Sequence, residues 1–396
     1  MRRGIQILSL IFFLAGIGNL NAQFGAQCDP ETGRNPITGE YCLNSISTAV
    51  PFLRIVPDAR SGALGDAGIA ISADANAMHF NPSKLVFAEK DLGLSITYTP
   101  WLRALGLTDV YMAYLTGYKK LDEFQTVGAG LRYFSLGSIQ FTDNDGNLLQ
   151  QGRPYEFEFA LAYARKLSDN FSASITGKFI FSDLASGQQV PGSTGETIEA
   201  GKAGAADIGL TYQSPISMGE TKTYLRTGLA ITNIGSKITY TNSTERDFLP
   251  GNLGLGAAWD FELDNYNTLT LIADFNKLLA PTPDSSGDYR TKSVIGGVLG
   301  SFSDAPFGAS EEFREIMYSF GIEYWYDKQF AVRAGYFNEH ASKGNRKYLT
   351  LGIGLKYNIF GLNLSYLVPT TNQQNPLDNT LRFTLLFDFG VFGADE

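Results

Sequence analysis

From about residue 91 to residue 390 the chain alternates apolar and polar residues in segments of about ten, joined by connections that are long and short in turn. A period of two puts alternate side chains on opposite faces of a strand. A regular exchange of long loops and short turns gives each end of a closed sheet one kind of connection. Both properties belong to a transmembrane antiparallel β-barrel, and the fold expected here is all-β.

The alternation predicts strands at 91–100, 109–118, 125–135, 155–166, 171–183, 204–213, 224–234, 252–261, 268–276, 317–326, 330–337, 348–357, 361–368 and 379–389, about fourteen in all. Short turns include Lys119 to Glu123, Leu167 to Asn170, Asp327-Lys328-Gln329 and Asn358-Ile359-Phe360. Long connections fall at 136–153, 184–203, 235–251, 277–316, 338–347 and 369–378, and Ser310 to Ile316 predicts a short helix within one of them.

The two faces decide what surrounds the sheet. In the last segment Leu381, Phe383, Leu385, Phe387 and Phe389 oppose Arg382, Thr384 and Asp388. Across the chain the second face collects glycine and both signs of charge: Arg132, Glu156, Glu158, Asp207, Arg226, Glu323, Arg333, Lys356 and Arg382. A barrel of about fourteen strands is too wide for apolar side chains to fill, so charge inside and apolar groups outside describe a wall that faces lipid. A soluble sandwich would turn its apolar face inward. The 28 Phe, 20 Tyr and 43 Gly suit aromatic girdles and closely packed strands. Mean hydropathy is −0.08, and no apolar run after the N-terminal stretch is long enough for a spanning helix.

The N-terminus reads as an export signal: Arg2 and Arg3, then an apolar Ile5 to Ile17, then Leu20-Asn21-Ala22 before Gln23. Residues 1–22 are the expected signal peptide, 23–49 a cysteine-containing loop, 50–90 a hatch or plug, and 91–396 the barrel. Removing Arg2 and Arg3 takes the formal charge from −9 to −11, which disfavours nucleic acid as a partner. In an exported chain Cys28 and Cys42, separated by a turn-rich stretch, are expected to form a disulfide that stabilises the segment by about 3 kcal/mol. A thiolate metal site lacks further ligands, and no cofactor is expected.

Before the first strand lies a compact segment with Gly62, Gly65, Asp66 and Gly68, then Asp74 to Ala77, then Asn81-Pro82 and Leu85. The glycine spacing is not that of a nucleotide loop, and no phosphate-binding loop occurs elsewhere. The run Gly62 to Gly68, Asp74-Ala75-Asn76-Ala77 and Asn81-Pro82-Ser83-Lys84-Leu85 resembles the hatch of FadL-like outer-membrane proteins, with Ser83 where alanine is usual. The longer string Pro51 to Gly68 resembles the PorV (LptO) family of the type IX secretion system. That resemblance implies a FadL-like barrel of fourteen strands with an N-terminal hatch, in the bacterial outer membrane. It implies a non-enzymatic shuttle that binds the C-terminal signal domains of secreted cargo at the translocon barrel. Cargo then passes to a cell-surface attachment complex containing the sortase-like PorU, and is joined to lipopolysaccharide. Both termini are expected on the periplasmic side and the long loops at the cell surface, with Trp101, Leu102 and Phe248 as candidate partner contacts.

Two other functions are weighed. FadL-like uptake of hydrophobic molecules needs an apolar pocket by the hatch, which Phe52, Leu53, Ile55 and Val56 could line. Lipid A deacylation needs a base, and His340 lies between Glu339 and Ser342. The other histidine, His79, reads as a packed or hydrogen-bonded plug residue. Asp143-Asn144-Asp145-Gly146-Asn147 fails the calcium-loop pattern and reads as a turn.

Overall fold

A computed structural model describes residues 41–390, apart from 104–105, 143–147, 190–195, 219–220, 243–244, 284–287 and 372–378, together with Asp29 and Arg34. The expected signal peptide, Cys28 and the Asp143–Asn147 turn lie outside the described residues. Cys42 is not a free thiol.

Fourteen strands close an antiparallel barrel. They are β1 (Leu92–Pro100), β2 (Val110–Lys120), β3 (Gln125–Leu136), β6 (Tyr155–Lys166), β7 (Phe171–Asp183), β8 (Gly201–Met218), β9 (Thr221–Gly235) and β10 (Asn252–Glu262), then β11 (Asn267–Leu278), β12 (Met317–Tyr326), β13 (Phe330–Asn338), β14 (Lys347–Tyr357), β15 (Phe360–Pro369) and β16 (Leu381–Phe389). β1 seals the ring against β16 from Leu92↔Phe389 to Tyr98↔Phe383. Two further strands, β4 (Ile139–Thr142) and β5 (Leu148–Gly152), form a separate hairpin in the connection after β3. The sequence predicts a loop here, since segments of four and five residues carry too little alternation to register.

The longest departure from the predicted boundaries is at β8 and β9. The predicted strands end at 213 and begin at 224, yet pairing continues through Pro215 to Met218↔Thr221. At the same rim the connection from β12 to β13 turns tightly. Asp327 and Lys328 both adopt positive φ (50° and 53°), and the Gln329 amide donates to the Tyr326 carbonyl, as a two-residue hairpin turn requires. The predicted short helix is present at Ala309–Arg314, and a second one spans Val294–Gly300 in the same loop.

The faces divide as charge and hydropathy demand. Outward residues such as Ile96, Leu131, Ile175, Ile322, Leu351 and Leu385 are exposed. Arg132, Glu158, Asp207, Glu323, Arg333 and Arg382 point inward and are buried. Near the loop rim, outward rings stack from strand to strand: Tyr98 with Tyr111 at 5.6 Å, Tyr133 with Tyr155 at 5.8 Å and Tyr155 with Phe181 at 5.7 Å between centroids. Such a row suits the level where lipid head groups begin.

Residues 50–88 lie inside the barrel. The chain enters beside the long loops: the Asn44 amide donates to the Ser342 carbonyl, the Ala49 amide to Phe248, and Phe52 stacks on Phe134. It descends through short helical turns at Pro51–Arg54, Ala59–Gly62, Ala77–Phe80 and Pro82–Phe87, and joins β1 at the rim of short turns. The N-terminus itself lies outside the described residues. The described N-terminal residues 41–50 share the side of the long loops, whereas β16 finishes at the opposite rim. The reason is geometric: a plug that feeds a strand at the turn rim and fills the lumen must be entered from the other rim.

Wall and hatch approach at backbone distance where glycines face each other. A Cβ on Gly335 of β13 would lie 2.0 Å from the Gly65 nitrogen and 2.2 Å from the Leu64 carbonyl carbon, and Gly65 itself sits at φ +67°. Gly335→Leu is therefore expected to unseat the hatch, at a cost of about 1–3 kcal/mol or more for overpacking. The folded, heat-modifiable band in gel electrophoresis should be lost several degrees below the parent protein. An unchanged melting profile would show that the hatch is not packed against β13.

Candidate functional site

The hatch is held by the charges that the alternation turns inward. Arg60 lies between Glu323, at 2.8 and 2.9 Å, and Asp74, at 3.1 Å, and the same Glu323 accepts from Arg333 Nε at 2.6 Å. Asp274 accepts from the Gly68 and Ile69 amides at 2.7 and 2.9 Å. Thr350 accepts from the Gly65 amide and Thr384 from the Ala59 amide. Arg132 donates to the carbonyls of Phe52, Leu53 and Ile55, and contacts Glu158 at 3.2 Å.

The remaining hatch residues singled out in the sequence fall in this network. Gly62 lies against the Arg382 side chain, since a Cβ there would meet Nη1 at 2.5 Å. Asp66 accepts the Tyr348 hydroxyl at 2.5 Å. Asn81 donates to the Leu210 carbonyl at 3.0 Å and caps the Ser83 amide, and Pro82 opens the following turn. Ser83 uses the hydroxyl that an alanine would lack, bonding Asn81 at 2.6 Å and Thr211 at 2.7 Å. Lys84 donates to the Gly68 carbonyl within the hatch. His79 Nδ1 is 2.6 Å from Arg132 Nη2, and because a guanidinium only donates, this ring nitrogen accepts.

The lumen is divided by the hatch. On the loop side is a chamber of about 110 Å³. Leu53, Ile55 and Val56 border it together with Phe80, Leu278 and Phe337, and so do the charged Arg54, Asp66, Lys178, Asp274 and Arg382. Phe52 packs on Phe134 and lies outside its lining. On the turn side is a wider vestibule of about 830 Å³, bordered by the Arg226–Asp260 and Arg333–Glu323 pairs with Tyr224 and Trp325.

At the loop rim, a buried ionic cluster ties two loops to the N-terminal segment. Lys343 bonds Glu311 and Glu315, Lys277 bonds Glu312 and Glu315, and Asn44 donates to Glu311 at 2.9 Å. Arg54 and Arg346 together hold Glu339.

The residues proposed from sequence as partner contacts do not form an open surface. Phe248 is buried beneath Gly297, and a Cβ on that glycine would stand 2.5 Å from its ring. Trp101 packs edge-on to Phe134 at 5.1 Å, and Leu102 is half-buried against the same cluster. Apolar residues on surface loops read as exposed, yet these residues turn in over the hatch entrance. Exposed apolar groups of the loop rim instead include Leu148 of the hairpin and Ile295 and Leu299, four apart on one helix, with Phe302 and Phe313 nearby in the chain. The signal of the helical pair was the i, i+4 spacing in Val294–Gly300, obscured by three glycines in seven residues.

The deacylase candidate does not assemble. His340 Nδ1 is taken up locally, 2.9 Å from Ser342 Oγ and 3.2 Å from the Ser342 amide that it caps. Both Glu339 oxygens are occupied by arginines, so no acid orients the imidazole. Burial, then the Arg314 charge, lowers the His340 pKa and keeps the ring neutral at pH 7.

A closed, lipid-facing wall with a plug bonded into its lumen defines a hatch-bearing barrel of the outer-membrane type. The model of the family described as "Type IX secretion system protein PorV" matches residues 40–285, and the chain belongs to that family. Among solved structures it is similar to the toluene transporter TbuX of Ralstonia pickettii (11% identity over 84% of this chain and 98% of that one, TM-score 0.46). It is also similar to the toluene transporter TodX of P. putida (12% identity, 84% and 98%, TM-score 0.47) and to a Pseudomonas aeruginosa FadL homologue (10% identity, 88% and 100%, TM-score 0.43). No curated protein matches.

Two outcomes follow from the ionic networks. Glu323→Gln leaves the Arg60 and Arg333 guanidiniums buried without their carboxylate, and should cost about 3–5 kcal/mol. Ionic current through the variant in planar bilayers should rise above that of the parent; equal current and equal melting would show that the triad does not retain the hatch. For Glu315 and Glu339, burial alone would raise the carboxyl pKa, but Lys343 and Lys277 around one and Arg346 and Arg54 around the other hold both below the ordinary glutamate value. Their contribution is complete above that value and lost as pH falls through the lower folded pKa. Hydrogen exchange of residues 41–50, corrected for intrinsic rate, should accelerate between pH 7 and about pH 3. A constant rate would exclude these carboxylates as the clamp.

Proposed function

We propose that this barrel is a non-enzymatic shuttle of type IX secretion. It binds the C-terminal signal domain of secreted cargo at the translocon barrel and delivers it to the PorU-containing attachment complex. The family match, which runs from the hatch entrance to β11, carries this reading. The lumen gives it physical support. A passage filled by hatch backbone and crossed by the Arg60–Glu323–Arg333 triad is a poor route for bulky or apolar cargo, so binding falls to the rim. In this reading residues 1–22 are removed on export, the long loops face the cell surface, and Ile295, Leu299, Phe302 and Phe313 offer cargo or translocon an apolar contact.

The test is deletion of the gene, followed by complementation with the parent sequence or with the double variant Ile295→Asp, Leu299→Asp. Deletion should stop surface display of proteins bearing the C-terminal signal, and the parent sequence should restore it. The double variant should insert normally but restore display at least tenfold less well. Normal display in the deletion strain would refute the shuttle. Full rescue by the double variant would remove these residues from the contact. Impaired growth of the deletion strain on hydrophobic substrates, with normal secretion, would favour uptake instead.

A further inference from the structure

We propose that the chamber between hatch and loop rim is a binding site for one compact monovalent anion, a halide or a formate-sized carboxylate, seated on Arg382. The inference does not depend on the secretion reading. Arg382 is among the largest fully buried side chains, and its Nε, Nη1 and Nη2 have no hydrogen-bond partner. Its nearest counter-charge, Asp66 Oδ1, is 3.5 Å from Nη2, while Asp66 Oδ2 is taken by the Tyr348 hydroxyl. A guanidinium offers five donors, and leaving all of them unmade in a buried site is costly.

The surroundings add positive charge. Arg54 and Arg346 also border the chamber, and both draw on the single carboxylate of Glu339. Three guanidiniums thus have two carboxylates, Asp66 and Glu339, among them. Burial first, and the Arg346 charge second, bring the Arg54 pKa down to about 10, as expected where like charges crowd. On the far wall Lys178 is neutralised by Asp207 at 2.7 Å and Glu158 at 3.5 Å. Asp274 spends Oδ2 on two hatch amides, and its unpartnered Oδ1 is a place for water rather than for an anion.

Size limits the ligand. One water needs about 10–15 Å³ of such space, so about 110 Å³ admits a small anion with several waters. An anion there would complete the Asp66–Tyr348–Arg382 anchor, and would stabilise the seated hatch by mass action.

The experiment uses the full-length mature protein in detergent. Crystals grown in sodium bromide should show an anomalous peak within hydrogen-bond reach of the Arg382 guanidinium. Bromide or formate should raise the unfolding midpoint of the parent protein by a few degrees relative to a bulky sulfonate at equal ionic strength, and should not do so for Arg382→Gln. Water alone in the chamber, with bromide ordered elsewhere in the crystal, would overturn the proposal. A peak without an anion-specific shift of the parent would mean binding at crystal concentration only, and would overturn it too. Both readouts stand on the parent protein if the variant fails to fold.

Discussion

The structure depends on how a wide closed sheet fills its own interior. Fourteen strands enclose more space than inward side chains can occupy, and lipid outside requires the apolar face to point away from that space. What remains inside is polar. Of these inward groups Glu323, Asp274 and Arg132 are met by a second layer. The hatch is that layer. Its backbone amides at Ala59, Gly65, Gly68 and Ile69, and its Arg60 side chain, supply what the wall lacks.

Filling the lumen this way changes what the barrel can do. An open barrel of this size would conduct, and an apolar one would pass hydrophobic molecules. Here the hatch crosses the lumen with charge pairs above and below it, and the chamber beside Leu53, Ile55 and Val56 carries four basic and two acidic side chains among its lining. The long loops are correspondingly built up. They carry a separate hairpin, two short helices and a buried cluster of two lysines and three glutamates that fixes the N-terminal segment. Such ordering is expected of a surface that has to present a defined shape.

The strands were legible because lipid imposes a rule on every second residue, and the rule repeats for about ten residues at a time. All fourteen barrel strands are legible in that pattern, with the largest boundary error at β8 and β9, where pairing runs on past Pro215. The hatch residues were visible as small residues and turn signals, but their partners were not, because Asp274 and Gly68 are 206 positions apart. The hairpin of β4 and β5 was too short to show a period. The loops gave least. Phe248 and Trp101 looked exposed because the apolar cluster covering them is assembled from distant segments, and Ile295 and Leu299 were hidden among helix-weakening glycines. The side on which the N-terminal segment emerges could not be read from alternation, which describes the wall alone.

The ion pairs between wall and hatch are better understood as setting register than as supplying stability. Before the hatch seats, each inward charge is hydrated, and replacing water by an ion pair recovers little net free energy. Misplacing the hatch by one residue is a different matter. It would move Arg60 away from Glu323, take the Gly68 and Ile69 amides from Asp274, and set a Cβ against the backbone of β13 where Gly65 and Gly335 now meet. Each error strands a buried charge or forces a backbone clash, and each lies on a different strand. Alternative seatings are therefore penalised at several places at once. One arrangement is selected, although no single contact in it is strongly stabilising.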